Sequence, residues 1–300
     1  MGDLASSIRR VLVLGTGTMG EGIAQVTAAA GCITNLFDVD ETRAKRAVDN
    51  IGKQTEKLVQ KGKMTDVARA DLVEALFPMS DLPVACSGVD LVIEAVPENM
   101  DLKVDVLSRV KDRALSHAII ASNTSSLSLT ELGRRIGASE RTVGLHFFNP
   151  PPVMELLEIV RGLGTSDATI EVCEAFAKRL KKTSILVRDV PGFATSRLGV
   201  ILGAEAMRML ESGVASTTDI DRAMELGYRH PMGPLKLTDL VGLDVRLAIL
   251  EHLHRELGEQ FRPPSILRQM VRAGRLGKKV GIGFYKWTDA GPVAADSGAA

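Results

Sequence analysis

His146 and Glu158, twelve residues apart, have the types and the setting for moving a proton. His146 closes a short apolar run, residues 142–146. It is followed by Phe147-Phe148-Asn149-Pro150-Pro151-Pro152, a stiff connection able to hold an imidazole at the edge of a dry cleft. Glu158 lies on the next apolar run, residues 156–160, so a hairpin-like return brings its carboxylate toward the ring. Histidine titrates near neutrality, and a carboxylate stabilises its charged form. Such a dyad can take the proton of a hydroxyl group while hydride leaves the carbon that bears it. Spacing alone fits equally a core histidine beside an unrelated glutamate. Among the other histidines, His252 and His254 are two apart on a helical pattern and point to different faces, which excludes the i, i+4 pair of a zinc site. His117 precedes a strand at its amino end, the wrong edge for chemistry, and His230 stands in a Pro-rich turn as a candidate substrate contact.

Near the amino terminus, the apolar run 11–14 leads directly into Gly15-x-Gly17-x-x-Gly20 and a helical pattern through Ala30. In that context each glycine has a task. One makes the tight turn, the second lets backbone approach a pyrophosphate, and the third lets helix and strand pack closely while the first amides of the helix face the anion. Asp38 closes the second apolar run, where a carboxylate accepts hydrogen bonds from an adenosine ribose and repels a 2′-phosphate. The pattern favours NAD over NADP, with Arg43 near enough to swing toward a phosphate instead. Glu98, Lys103, Ser122, Asn123 and Ser125 fall at or beyond carboxyl ends of expected strands, where open α/β sheets bind ligands.

These residues need a scaffold, and the periodicity supplies one. From residue 10 to about 188, short apolar runs alternate with helical patterns. That is the signature of βαβ units in a Rossmann-like, doubly wound α/β fold with a parallel sheet covered on both faces. Strands are expected at residues 11–14, 33–37, 91–95, 118–121, 142–146, 156–160 and 184–187. Between the second and third, Ala44, Val48, Ile51, Leu58 and Leu72 suit an inserted helical hairpin with a break near Gly62. Lys53, Lys57 and Lys61 recur every fourth residue there, a basic stripe that either receives the phosphates of a large anionic substrate or is a solvated face paired with acids such as Glu56. At Pro191-Gly192 the alternation stops. The reading is a domain over 1–190, an all-α domain over 191–290 with helices at 193–211, 216–227, 235–257 and 265–273, and a disordered tail over 291–300. A helical unit this rich in Leu, Ile and Met is expected to complete its burial in a homodimer.

Composition narrows the partners. Three hundred residues with 45% hydrophobic content bury a sizeable core, and 37 basic residues cancel 37 acidic ones, so no global field draws the chain to nucleic acid or an anionic membrane. The most apolar stretch, residues 198–204, stops at Glu205 and is too short for a membrane span, and MGDLASSIRR lacks the apolar core of a signal peptide. Met1-Gly2 with Ser6 matches a myristoylation pattern and is read as chance. Cys32, Cys86 and Cys173 form no CxxC pair, which argues against zinc, disulfides or thiol redox chemistry and fits a cytoplasmic protein.

The assembled motifs resemble the 3-hydroxyacyl-CoA dehydrogenase family, especially its short 3-hydroxybutyryl-CoA type. They are VLVLGTGTMGEGIAQ, VIEAVPENMDLK, ASNTSSLSLTEL, GLHFFNPPPVMELLEIV, RDVPGF, HPMGPLKLTDLVGLD and GKKVGIGFYKW, an ordered set covering nearly the whole chain. The resemblance implies a domain carrying NAD, a helical domain that dimerises, and an acyl-CoA substrate. It implies that Ser125 contacts the substrate hydroxyl, that His146 is the base and that Glu158 is its partner. It further implies Asn149 near the nicotinamide, Glu98 and Lys103 at the nicotinamide ribose, Lys279 reaching the cofactor from the second domain, and CoA on the stripe of Lys53, Lys57 and Lys61, with Lys61 the best match. One departure is Ser196, where the family commonly has asparagine. A serine hydroxyl has a shorter reach than an amide, so substrate positioning is expected to differ there. A dehydrogenase of a free 3-hydroxy acid or sugar acid, and a non-catalytic NADH-binding protein, are the competing readings.

Overall fold

The computed structural model describes residues 7–295, so the myristoylation match and the last five residues of the expected tail lie outside it. The chain divides into two compact units, Met1–Val190 and Pro191–Ala300. The first runs β1 (Arg10–Leu14), α1 (Thr18–Ala29), β2 (Ile33–Phe37), α2 (Glu41–Gln60), α3 (Asp66–Glu74), β3 (Leu76–Met79), α4 (Leu82–Ala85), β4 (Leu91–Glu94), α5 (Met100–Lys111), β5 (Ile119–Ser122), α6 (Leu129–Ile136), β6 (Thr142–Phe147), β7 (Leu156–Arg161), α7 (Asp167–Arg179) and β8 (Thr183–Arg188). The sheet order is β3-β2-β1-β4-β5-β6-β7-β8, so the winding reverses between β1 and β4, the switch point outside which such sheets bind ligands. Val11, Val13, Leu91, Ile93, Ala121, Val143 and Leu145 form its buried centre, as expected of parallel strands covered on both faces.

All pairings in this sheet are parallel except β6 with β7. The connection between those two strands, residues 148–155, is too short for a crossover, which needs about a dozen residues or more, so the chain must return antiparallel. The inserted hairpin is present as α2 and α3, with Gly62 at φ 66° in the turn. The sequence reading has no strand at β3. Its Pro78 argues against one, and the strand survives because it pairs only with β2, at the sheet edge.

The second unit contains α8 (Thr195–Glu211), α9 (Thr217–Gly227), α10 (Pro234–Val241), α11 (Leu243–Leu257), α12 (Ser265–Arg272), β9 (Tyr285–Thr288) and β10 (Gly291–Ala294). Val200, Ala204, Met207, Leu235, Leu243, Leu250, Leu253 and Phe284 make its core. The single helix expected over 235–257 is two helices, broken where Gly242 takes φ 106°, a conformation closed to side-chain-bearing residues. The strictly all-α expectation also needs correction. β9 and β10 form an antiparallel hairpin, and residues 291–294 of the expected disordered tail are its second strand. Buried Asp239 explains the hairpin, because its carboxylate accepts from Phe284 N and Tyr285 N, both at 2.9 Å, and from Trp287 Nε1 at 3.0 Å. No helix among the described residues is long and apolar enough to cross a membrane.

Candidate active site

The carboxyl ends of β1, β2, β4, β5 and β6 converge in the first unit, and each delivers one part of a site. At the end of β1, Gly15 has φ 101°, and a Cβ there would meet Ala95 O at 2.7 Å. A Cβ on Gly20 would meet Gly15 O at 1.8 Å, so the turn and the helix entry close only with glycine at both positions. Around Gly17, by contrast, a Cβ would meet nothing within 4 Å, and Gly17 caps α1 without any side-chain hydrogen bond. The first amides of α1 therefore open onto space rather than onto protein, the requirement for a pyrophosphate. At the end of β2, Asp38 Oδ2 accepts from Thr16 Oγ1 at 2.6 Å, and Arg43 Nε stands 3.7 Å from the same oxygen. Arg43 thus adds to the carboxylate instead of facing away toward a phosphate, and the cradle fits NAD.

Between β4, α5 and β5 lies a buried charge network. Lys103 Nζ pairs with Glu94 Oε1 at 2.7 Å and Glu98 Oε2 at 3.2 Å, and its side chain is 1% exposed. Glu94 also accepts from Ser122 Oγ and Val96 N, each at 2.6 Å. Glu98 Oε1 accepts from Thr124 Oγ1 at 2.5 Å, Ser125 N at 3.1 Å and Ser126 Oγ at 3.1 Å, so it organises the loop that carries Ser125. Burial disfavours the Glu98 charge, but Lys103 and the bonds from Thr124 and Ser125 outweigh it and hold this carboxyl below its ordinary range. Lys103, which the resemblance puts near a ribose, has its ammonium on two carboxylates and on Val96 O. Glu94 was not singled out from the sequence. The available signal was a lone carboxylate inside the apolar run 91–95, which is tolerable only with a buried partner.

β6 and β7 bring His146 and Glu158 directly opposite each other in register. His146 Nδ1 lies 2.7 Å from Glu158 Oε2, Glu158 is 0% exposed, and His146 is 7% exposed. A carboxylate only accepts, so Nδ1 carries the proton of this bond, and the neutral ring then has its lone pair on Nε2. The Phe148 ring tilts against the imidazole with centroids 4.6 Å apart. Asn123 Oδ1 accepts from Phe147 N at 2.8 Å, which ties the end of β6 to the loop after β5. Two competing histidines have other settings: His117 is 70% exposed near Asp90, and His254 pairs with the exposed Glu259.

Lys53, Lys57 and Lys61 lie exposed along α2, and among the described residues none of them forms a salt bridge, so the pairing with acids such as Glu56 is not found. The same helix contributes Gln54 and Leu58 to a cavity of about 470 Å³ whose other walls include Gly22 and Pro151. Asn149 follows β6 at the head of the proline segment. In the second unit, Ser196 is in the first turn of α8, and Lys279 Nζ is paired with both carboxylate oxygens of Asp244, at 2.5 and 2.6 Å. The three cysteines are buried free thiols; burial pushes Cys86 up to about 11 and Cys173 up to about 12, and none serves this site.

Comparison with known proteins places the same geometry in context. The family model described as 3-hydroxyacyl-CoA dehydrogenase, NAD binding domain, matches residues 10–190, and that of the C-terminal domain matches residues 192–287. A probable 3-hydroxybutyryl-CoA dehydrogenase of Bacillus subtilis (strain 168) is 40% identical over 283 residues, spanning 94% of this chain and 98% of its own. The 3-hydroxybutyryl-CoA dehydrogenase of Clostridioides difficile is 38% identical over 283 residues, 93% of this chain and 99% of its own. Among solved structures, the (S)-3-hydroxybutyryl-CoA dehydrogenase PaaH1 from Ralstonia eutropha superposes with a TM-score of 0.90 at 40% identity, covering 94% of this chain and 100% of that one.

Proposed function

Because the chain belongs to the 3-hydroxyacyl-CoA dehydrogenase family, we propose that it interconverts the short-chain pair (S)-3-hydroxybutyryl-CoA and acetoacetyl-CoA, with His146 as the base. The observation that carries this is the His146–Glu158 contact of 2.7 Å, which leaves Nε2 as the basic nitrogen. The glycine cradle and Asp38 would hold NAD, which would supply the hydride acceptor. The work left to the chain is to take the hydroxyl proton on Nε2, with Glu158 stabilising the resulting imidazolium through Nδ1. Ser125 holds the reacting oxygen, assisted by Asn149. Glu98 acts by fixing the Ser125 loop, and Lys103 by neutralising Glu98 from behind.

The cavity beside α2 and the lysines along that helix support a CoA thioester rather than a free acid. Replacing Lys53, Lys57 and Lys61 together by glutamine is expected to raise KM for acetoacetyl-CoA by about tenfold, since each exposed contact to phosphate is worth up to roughly 1 kcal/mol. Steady-state kinetics at two salt concentrations checks this; an unchanged KM would favour a small free acid. The second unit, read as the dimerisation domain, leaves Leu198, Leu226 and Tyr228 more than two-thirds exposed, at 69%, 79% and 74%, which suits burial against a second copy. Three buried free thiols suit a reducing compartment, so a cytoplasmic role in short-chain acyl-CoA metabolism, such as β-oxidation, goes with the reading.

The test is NADH oxidation with acetoacetyl-CoA, run beside free acetoacetate and with NADPH as control. Thioester-dependent oxidation of NADH alone is expected. Turnover of free acetoacetate instead would move the assignment to a free-acid dehydrogenase, and binding of NADH without any turnover to a non-catalytic protein.

A further inference from the structure

The segment after His146 does not satisfy all of its own backbone carbonyls. Pro150, Pro151 and Pro152 carry no N–H, and its internal bonds, Val153 N and Met154 N to Pro150 O, leave the carbonyls of Pro151 and Met154 to be satisfied from elsewhere. Both are taken by one side chain. Lys182, in the turn between α7 and β8, donates from Nζ to Pro151 O and to Met154 O, each at 2.6 Å. The Pro151 ring sits on Gly22 of α1, where a Cβ would come within 2.6 Å of Pro151 Cδ. The proline segment is therefore held at two carbonyls by a lysine and at the Pro151 ring by a glycine. Pro151 and Gly22 are at the same time walls of the cavity beside Gln54 and Leu58.

Burial lowers the pKa of Lys182, with Glu155 acting in the opposite sense, so the ammonium gives up hydration to make these two bonds. Its geometry matches the need. An ammonium has three donors on a rotatable stem, and bonds from a charged donor to carbonyl oxygens are stronger than neutral ones. We propose that Lys182 is a positioning residue for the acyl-CoA substrate: it draws the proline wall onto Gly22 and so sets the width of the cavity that the thioester chain enters. The proposal rests on the acyl-CoA reading of this cavity. The bonds of Lys182 go to Pro151 and Met154 and not to His146 or the glycine cradle, so its effect is on substrate affinity, with proton transfer and NADH binding left in place.

The experiment compares Lys182→Met, Lys182→Arg and Gly22→Ala with the parent, using the full chain, acetoacetyl-CoA and NADH. Lys182→Met is expected to raise KM for acetoacetyl-CoA about tenfold, the lower end of what a lost charge-assisted bond is worth. kcat should stay within about threefold, and the Kd of NADH by fluorescence titration should not change. Lys182→Arg, which keeps two donors on a cation, should recover most of the loss. Should Lys182→Met not fold, Gly22→Ala presses on the same wall from within a helix that favours alanine, and it must show the same KM rise. Parent-like KM in Lys182→Met or, failing that, in Gly22→Ala would overturn the proposal, as would an equal fall in NADH affinity. A parent that does not turn over acetoacetyl-CoA would overturn the substrate reading itself, and this inference with it.

Discussion

Replacing His146 with alanine is expected to lower kcat by at least about a hundredfold, the ordinary scale for losing a general base, while NADH binds with unchanged affinity. The expectation follows from where the ring is held. Nδ1 is committed to Glu158 at 2.7 Å, and the glycine cradle and Asp38 belong to β1 and β2, on the far side of β4 and β5 from β6. Losing the imidazole therefore leaves the cofactor contacts alone. Glu158→Gln sharpens the test. An amide of the same size can still accept from Nδ1 but carries no charge to stabilise an imidazolium. It should also lower kcat, by less than the removal of the base and with little change in KM. The measurements are steady-state NADH oxidation with acetoacetyl-CoA and fluorescence titration of NADH. A His146→Ala protein with near-parental kcat would remove the histidine from the mechanism.

Replacing Lys103 with methionine is expected to cost about 3–5 kcal/mol of stability, because it strands one fully buried carboxylate and deprives a second of its cation. Glu94 is 0% exposed and Lys103 1%, so water cannot take the place of the missing ammonium. Chemical denaturation would measure the loss. A double variant that also converts Glu94 to glutamine should regain much of it, because the unpaired charge has then gone. Catalysis should suffer as well through Glu98, which anchors Thr124, Ser125 and Ser126 and would lose the ion pair that holds it. A Lys103→Met protein as stable as the parent would mean that the network contributes nothing net, and that the order of the Ser125 loop has another source.

Much of this protein is legible in the one-dimensional chain because its signals are local. The glycine turn is set by three residues whose missing side chains are required within a few positions of themselves, and the strands of a doubly covered sheet announce themselves as short apolar runs. The His146–Glu158 pairing was readable for a related reason. A connection of eight residues forces an antiparallel return, and that return places the two side chains opposite each other.

What the tertiary structure decided is where buried charges and orphan backbone groups find their partners. Nothing near Asp239 in the sequence says that its carboxylate will gather the amides of Phe284 and Tyr285 and so turn the end of an expected all-α domain and the start of an expected disordered tail into a β-hairpin. Lys103, which the resemblance puts near a ribose, is the counter-charge of Glu94 and Glu98. Lys182 is an unremarked basic residue until the carbonyls of Pro151 and Met154 stand 2.6 Å from its nitrogen. Periodicity and spacing report on burial, which is summed over many neighbours and so leaves a pattern along the chain. A hydrogen bond or ion pair joins two particular atoms, and which atoms meet is fixed only when segments distant in sequence have packed.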